Sequence, residues 1–298
     1  MKIINIKQLA ILLALMLLPF SKVVANGQEY FEKANTLAMD GKLQEAIDYY
    51  DLAIKHKPDY AEAYYNKGVA LNKLDKLQES IDSLDLAIKY KPNFAEAYYN
   101  KGWALEELGK YQEAINSYDL AIKYKPVYAN AYYNKGVALN GLGKYQKAID
   151  SYNLAIKYKP VYANAYYNKG VALNGLGKHQ EAIDSYDLAI KYKPDFSAAY
   201  NNKNFALNEL GKYQEAIIAS DLAIKYKPEF AEAYYNKGIT LYNLGKSEEA
   251  IIVFDLAIKY KPDYVKAYYN KGIVLKELGK YSQSEEAFSK AERLRTKH

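Results

Sequence analysis

Tyrosine, asparagine and lysine recur together in this chain, in a hexapeptide that reads AYYNKG at Ala63–Gly68. The other copies, one of which has decayed to AYNNKN, begin at Ala97, Ala131, Ala165, Ala199, Ala233 and Ala267. Amide and phenol groups both donate and accept hydrogen bonds, so a periodic row of them could bind the backbone of an extended peptide. The same residues could instead hold the fold together.

Residues able to support catalysis or to hold a metal are few. The chain has no cysteine and three histidines, and His56, His179 and His298 lack the spacing of metal ligands. His56 and His179 replace recurrent tyrosines, which predicts ordinary packing roles. Glu106 and Glu107 are interpreted as acids of a solvated helix face, with no partner group. We therefore expect no enzyme activity, no catalytic residues, no cofactor and no metal.

The first 25 residues have the layout of a secretory signal peptide. Lys2 and Lys7 precede an apolar run of 12 residues, Leu9–Phe20, and Val23 and Ala25 fit a cleavage site. An uncleaved membrane anchor is the alternative, but this run is shorter than the roughly 20 residues that span a bilayer. We expect cleavage after Ala25 and a periplasmic or secreted protein that does not insert into the membrane.

The mature chain is only mildly basic. The net charge is +6, and removal of the signal segment, with its three lysines and no acids, leaves +3. Most of the remaining lysines recur in a fixed phase among acids, which is typical of a solvated surface. A nucleic-acid partner is therefore not expected.

A single period governs everything after the signal segment. Prolines stand 34 residues apart at 58, 92, 126, 160, 194, 228 and 262. Gly27 to His298 is 272 residues, or eight such periods, and we expect no second domain. The predicted repeats are 27–60, 61–94, 95–128, 129–162, 163–196, 197–230, 231–264 and 265–298.

Each repeat is predicted to be a helical hairpin. In residues 95–128, Tyr98, Gly102 and Leu105 follow the i, i+4, i+7 spacing of one helix face. Gly109 predicts the end of that helix, because glycine readily adopts the left-handed conformation of a C-cap. A second helix follows with similar apolar spacing, and Pro126 prevents its continuation. One hairpin is too small to bury its apolar face, so neighbouring hairpins must stack.

The array resembles the tetratricopeptide repeat family. That family repeats, on a 34-residue period, a large aromatic residue, a Leu-Gly pair, an Ala-x3-Phe pair and a proline. The matching residues here are Tyr98, Lys101-Gly102, Ala114-x3-Tyr118 and Pro126. Lysine replaces the signature leucine, and leucine replaces a later signature tyrosine. The resemblance implies an all-α fold, a right-handed α-solenoid of helix–turn–helix hairpins, whose first helices line a concave groove.

On a helical wheel, each first helix presents its second tyrosine and its asparagine towards that groove. Trp103, the only tryptophan, is the preferred anchor for a partner. Two alternatives stay open: neighbouring repeats cover the tyrosines, and the asparagines bond the adjacent helix. The candidate ligand-binding residues are Tyr65, Asn66, Tyr99, Asn100, Trp103, Tyr133, Asn134, Tyr167, Asn168, Phe205, Tyr235 and Asn236.

The lysine of the hexapeptide lies in the buried arc of the wheel. We expect its methylene groups to pack while the ammonium group reaches the edge of the helix. Its candidate partners on the second helices are Asp51, Asp85, Asp119, Asp187, Asp221 and Asp255. Repeat 197–230 departs most from the pattern, because Asn204 replaces the close-packing glycine and Ser220 replaces the bulky aromatic residue. The larger residue is expected to compensate for the smaller one in volume.

These features predict an exported protein–protein interaction scaffold that binds an extended peptide or a partner helix in the groove. The alternative is a self-assembling structural protein of the cell envelope that uses an apolar patch near 218–260. In that patch Ile218 and Ile252 replace the Asp or Asn of earlier repeats, beside Leu222 and Tyr226. Packing between neighbouring second helices would also account for this patch.

Overall fold

The computed structural model describes residues 26–296, and over that range it contains helices and turns but no strand. The fold is an all-α repeat of helical hairpins, as the period predicts. The chain forms two compact units, one ending at Gly143 and the other beginning at Lys144. The predicted signal peptide over 1–25 and His298 lie outside the described residues.

Helices alternate between the first and the second member of a hairpin. The first helices are α1 (26–39), α3 (Ala61–Lys73), α5 (Ala95–Glu107), α7 (Ala129–Gly141), α9 (Ala163–Gly175), α11 (Ser197–Glu209), α13 (Ala231–Asn243) and α15 (Val265–Glu277). The second helices are α2 (Leu43–His56), α4 (Leu77–Tyr90), α6 (Tyr111–Tyr124), α8 (Tyr145–Tyr158), α10 (His179–Tyr192), α12 (Tyr213–Tyr226), α14 (Ser247–Tyr260) and α16 (Tyr281–Arg295). The first unit holds α1 to α7, and the second holds α8 to α16.

Both ends of each hairpin have a local cause. After α5 the chain turns through Gly109, whose φ is +71°, and the amide of Lys110 donates to the carbonyl of Leu105 at 2.8 Å. This is the glycine-terminated cap expected from the Leu-Gly-Lys sequence. After α6 the amide of Lys125 still donates to Ala121 O at 2.9 Å, but Pro126 has no amide hydrogen with which to continue the helix.

Asp75 is the exception among these turns. It has φ +59°, whereas glycines occupy the equivalent position in the other hairpins with φ of +68° to +78°. A side chain is disfavoured in the left-handed region, although aspartate tolerates it better than most residues. The turn between α3 and α4 is therefore strained relative to its equivalents.

Asp75→Gly is accordingly expected to raise the free energy of unfolding by about 0.5–1 kcal/mol. Urea denaturation followed by circular dichroism measures the change. Gly109→Asp is the matched converse and should lower stability by a similar amount. A neutral or destabilising Asp75→Gly, with Gly109→Asp equally neutral, would show that the backbone angle is not the cause.

Small residues let the two helices of each hairpin approach closely. Ala104, Ala114, Tyr118 and Ala121 are all 0% exposed. A Cβ atom added to Gly102 would stand only 2.6 Å from Cε1 of Tyr118, so the aromatic ring fills the space that the glycine leaves. Each second helix also packs against the first helix that follows it within the same unit.

In repeat 197–230, polar side chains form the equivalent contact between the two helices. Asn204, Ser220 and Thr240 are each 0% exposed. Nδ2 of Asn204 lies 2.8 Å from Ser220 Oγ, 3.0 Å from Thr240 Oγ1 and 2.9 Å from Ala216 O. The expected compensation in volume is confirmed. The buried hydrogen-bond network that accompanies it was not predicted.

Candidate functional site

The second tyrosine of the hexapeptide is half-buried in five copies, whereas Tyr269 is 54% exposed. An aromatic residue at the end of the same repeat contacts the half-buried ring. Tyr99, for example, has its ring centroid 4.9 Å from that of Tyr128 and 6.0 Å from that of Tyr118. Tyr65, Tyr133, Tyr167 and Tyr235 are likewise half-buried. These ring contacts lie within one repeat, so the alternative that neighbouring repeats cover the tyrosines stays open, and ligand contact stays a prediction for the accessible part of each ring.

The asparagines bond the preceding first helix through their amide nitrogens. Nδ2 of Asn134 donates to the hydroxyl of Tyr99 at 3.1 Å, and Nδ2 of Asn100 lies 3.3 Å from the hydroxyl of Tyr65. Asn66 and Asn236 donate to Asn35 and Asn201 at 2.8 and 2.9 Å. Asn168 is half-buried. The alternative that the asparagines bond the adjacent helix therefore holds for these four amide nitrogens, while ligand binding by the same residues stays a prediction.

Apolar side chains one turn further along the first helices form a partly accessible stripe in each unit. In the first unit the stripe consists of Val69, Trp103 and Val137, all half-buried. In the second unit it consists of Val171, Phe205, Ile239 and Ile273, among which Phe205 is 46% exposed. We call these residues the apolar stripe. It provides hydrophobic surface that a partner could cover in either unit.

Glu106 lies beside the stripe in the first unit and is not a plain surface acid. Its Oε2 accepts a hydrogen bond from the hydroxyl of Tyr118 at 2.8 Å. Burial raises the pKa of Glu106 to about 7, while the Tyr118 hydrogen bond partly opposes this rise and nearby Glu107 adds to it. The expectation of a solvated acid without a partner is therefore wrong at Glu106, because the neighbouring helix covers it.

One signal in the sequence could have indicated this. Whole periods of 34 residues from Glu106 lead to asparagines at 72, 140, 174 and 208, and to Ala38, Tyr242 and Lys276. A carboxyl group therefore occupies a position where four other repeats have a neutral amide and none has an acid. In the second unit the amide of Asn174 donates to the hydroxyl of Tyr186 at 3.0 Å. These two residues are the equivalents of Glu106 and Tyr118.

Glu106→Gln is expected to remove a pH dependence of stability. A carboxyl group whose pKa is higher in the folded than in the unfolded chain contributes stability at low pH and loses it as pH rises towards about 7. After allowance for solvent screening, the variant should be about 1–2 kcal/mol more stable than wild type at pH 8 and nearly equal to it at pH 5.

Urea denaturation at the two pH values measures this difference. Glu107→Gln is the matched control, because Glu107 is the exposed neighbour, and it should change little. If wild type and Glu106→Gln respond alike to pH, the carboxyl group is not titrating in the predicted range.

The recurrent lysines pair with the second helix of the preceding repeat, so this prediction is confirmed. Within each unit the Nζ···Oδ1 distances are 2.5–2.6 Å, and the lysine side chains are about one quarter exposed. Lys169 differs, because Asn153 stands at the position of the aspartate, and burial lowers the pKa of Lys169. The pairs are Lys67–Asp51, Lys101–Asp85, Lys135–Asp119, Lys203–Asp187, Lys237–Asp221 and Lys271–Asp255.

Two of the histidines have the predicted packing roles. The ring of His56 lies 5.3 Å from that of Tyr30, and Nδ1 of His179 is 3.1 Å from Asn174 Oδ1. Among the described residues no three or more His, Cys, Asp or Glu side chains are grouped so that they could hold a metal ion. Over residues 26–296, no helix is long and apolar enough to cross a bilayer.

The apolar patch near 218–260 is only partly covered. Ile218 and Ile252 are 61% and 62% exposed. Tyr226 stacks on Tyr200 with ring centroids 5.7 Å apart, yet remains 40% exposed. Packing between second helices therefore does not account for the two isoleucines, which point away from the core.

Solved structures with similar folds are repeat proteins. YrrB, described as a TPR protein with an unusual peptide-binding site, is 24% identical, with 64% of this chain and 98% of YrrB covered at a TM-score of 0.55. MamA is 29% identical over 54% of this chain and 94% of MamA, at 0.53. A tetratricopeptide repeat protein from Parabacteroides merdae is 20% identical over 88% and 99% of the two chains, at 0.61. None of the curated proteins matches the chain.

Family models match most of the sequence. Models described as tetratricopeptide repeat match residues 31–96, 76–123, 99–157, 163–196, 221–252 and 265–298. A model described as TPR repeat matches residues 138–177 and 240–279. These matches agree with the helical hairpins, the glycine–aromatic contacts and the glycine-terminated turns found along the chain. The chain therefore belongs to the tetratricopeptide repeat family.

Proposed function

We propose that this chain is an exported protein–protein interaction scaffold whose first helices bind an extended peptide or a partner helix. The observation that carries the proposal is the apolar stripe, which remains partly accessible in both units although the core is filled. Trp103 anchors a ligand in the first unit, and Phe205 does so in the second. The peptide-binding site named for YrrB agrees with this class of function, but the proposal rests on the residues of this chain.

The hydrogen bonds between asparagines and tyrosines determine how the row of asparagines binds a peptide in this proposal. Because several of the asparagine Nδ2 groups are engaged within the fold, a bound peptide donates its amide hydrogens to the asparagine carbonyl oxygens. The half-buried tyrosine rings supply the floor of the site. Side chains of the ligand then contact Val69, Trp103 and Val137, where burial of apolar area contributes most of the binding energy.

Trp103 allows a direct test, because it is the only tryptophan and its emission reports on its own surroundings. Peptides are selected from a displayed random library on the full mature chain and then titrated while tryptophan emission is recorded. We expect selected peptides to shift the emission saturably. Competition against a labelled copy should show at least a tenfold loss of affinity in Trp103→Ala.

Val127→Ala is the control, because Val127 is 65% exposed and lies in a loop outside the stripe. Equal affinity of the selected peptides for wild type and Trp103→Ala would contradict peptide binding at the apolar stripe. Circular dichroism spectra of both variants establish that the helices are intact, so that a loss of binding is not a loss of fold.

Self-assembly through the patch at Ile218 and Ile252 is the second candidate function. It is favoured by the exposure of these two isoleucines, 61% and 62%, at a position that is acidic or amidic in the earlier repeats. Replacing both with Asp should leave the circular dichroism spectrum unchanged and lower the mass measured by light scattering. A mass that is the same in wild type and variant would exclude this candidate.

Export is tested separately from binding. Expression of residues 1–298 in a Gram-negative host, followed by fractionation and intact-mass measurement, should recover a periplasmic or secreted species that begins at Asn26. A species that retains residues 1–25 in the membrane fraction would favour an uncleaved anchor. A full-length cytoplasmic species would contradict export altogether.

A further inference from the structure

The last hairpin, α15 and α16, carries an open aromatic cavity in the second unit. Tyr269 is 54% exposed, and its ring lies 5.4 Å from that of Phe288. A cavity of about 680 Å3 is lined by these two rings and by Tyr235, together with the charged residues Lys266, Glu292 and Arg295. We call this the terminal slot.

The internal repeats show what fills such a slot. In four of them the second tyrosine of the first helix is covered by an aromatic residue 29 positions later, and the ring centroids are 4.7–5.0 Å apart. For Tyr269 that position is 298, which lies outside the described residues. The filled pairs are Tyr65–Phe94, Tyr99–Tyr128, Tyr167–Phe196 and Tyr235–Tyr264.

A lysine three residues before each covering aromatic completes the internal arrangement. Nζ of Lys91 lies 4.4 Å from the centre of the Phe94 ring and 2.9 Å from the carboxylate of Glu62. Nζ of Lys125 and of Lys261 likewise lies over the ring of Tyr128 or Tyr264 and pairs with the carboxylate of Glu96 or Glu232, at 2.8 and 3.2 Å. In these three repeats the glutamate stands three residues before the covered tyrosine, whereas Asn164 stands at that position before Tyr167. The internal slots are therefore built for an aromatic side chain preceded at i−3 by a cation.

The terminal slot has the opposite charge at that position. Three residues before Tyr269 stands Lys266, where Glu62, Glu96 and Glu232 stand in the filled slots. Arg295 and Glu292 also line the cavity but pair with each other at 2.8 Å, so Lys266 is the cation left to set the charge preference. A cation at i−3 of an incoming aromatic would be repelled here, and an anion would be attracted.

We propose that the terminal slot binds a partner segment containing Phe or Tyr with an acidic residue three positions before it. The aromatic ring covers Tyr269 beside Phe288, as Tyr264 covers Tyr235, and the carboxylate pairs with Lys266. This site adds to the proposed function and does not depend on it, because Trp103 lies in the other unit.

Three acetylated, amidated peptides test the proposal on the full mature chain by ligand-observed NMR. The first has the core Glu-Pro-Asp-Phe-Ala, the second has Lys in place of Glu, and the third has Ala in place of Phe. We expect the first peptide to bind about fivefold more tightly than the second and at least tenfold more tightly than the third. Lys266→Glu should reverse the preference between the first two peptides, and Tyr269→Ala should abolish binding.

Three controls keep the outcomes distinct. Tyr281→Ala removes a tyrosine of the same repeat that is 64% exposed and does not line the cavity, and it should leave affinity unchanged. Trp103→Ala should also have no effect, which separates this site from the proposed groove. Equal binding of the first two peptides to wild type would overturn the proposal. So would binding that appears only in His298→Ala, because the chain's own terminus would then be the occupant.

Discussion

Gly170→Asn alone should lower the local stability of the α9–α10 hairpin by about 3 kcal/mol. A Cβ atom at Gly170 would stand 2.5 Å from Cε1 of Tyr186, and Tyr186 is 0% exposed, so its ring has no free space to move into. Tyr186→Ser alone should cost about 3–5 kcal/mol, because it leaves a cavity of the size of the ring. Native-state hydrogen exchange on the full chain, read from peptides of α9 and α10, measures both losses.

The double variant should lose far less than the two single variants together. Repeat 197–230 already holds this combination as Asn204 and Ser220, with their side chains 2.8 Å apart. We expect a coupling energy of about 2–3 kcal/mol in the double-mutant cycle. Ala206→Thr, which supplies the hydroxyl that Thr240 provides to Asn204, should recover about 1 kcal/mol more. Additive losses would show that the two residues do not compensate for each other.

Thr240→Val should destabilise the α11–α13 region by about 1–2 kcal/mol, although valine has nearly the same shape. Oγ1 of Thr240 lies 3.0 Å from Nδ2 of Asn204 and 2.6 Å from Nδ2 of Asn208. Removing this acceptor breaks two hydrogen bonds of the buried network, although Asn204 keeps Ser220 Oγ and Ala216 O and Asn208 keeps Asn204 Oδ1 at 3.1 Å. The same exchange measurement, on peptides of α11 and α13, reports the loss.

Thr36→Val is the matched control for this change. Thr36 occupies the equivalent position in the first repeat, and its hydroxyl also contacts the carbonyl four residues earlier, at 3.0 Å from Glu32 O. It is exposed and far from any such network, so we expect a change within about 0.5 kcal/mol. Similar losses at Thr36 and Thr240 would point to helix propensity rather than to the buried hydrogen bonds.

The helices and their ends could be predicted because each depends on neighbours in the chain. Gly109 and Pro126 act through their own backbone, and the spacing of Tyr98, Gly102 and Leu105 defines a helix face without knowledge of any other repeat. The lysine–aspartate pairs could also be predicted. A charge on a buried arc needs a partner of opposite sign, and the second helix offers Asp at one recurrent position.

The site was less predictable, because a helical wheel treats a helix as if it stood alone. On the wheel, Tyr99 and Glu106 both face solvent, but Tyr128 covers the first and α6 covers part of the second. The direction of the Asn134 bond could not be derived either, since an amide offers the same two groups to a peptide and to an adjacent tyrosine. The distance between neighbouring first helices decides which partner the amide bonds, and the sequence of a single repeat does not reveal that distance.

The bonds between repeats join positions separated by one period and a residue, as in Tyr65 with Asn100 and Tyr99 with Asn134. If residues 95–128 were lost in frame, Asn134 would meet Tyr65, and Phe94 would still cover the ring of Tyr65. Recombination between near-identical coding segments can therefore shorten or lengthen the protein by whole periods without creating a faulty junction. The number of repeats can vary freely in such a gene, and the number of hairpins available to contact a partner would change one at a time.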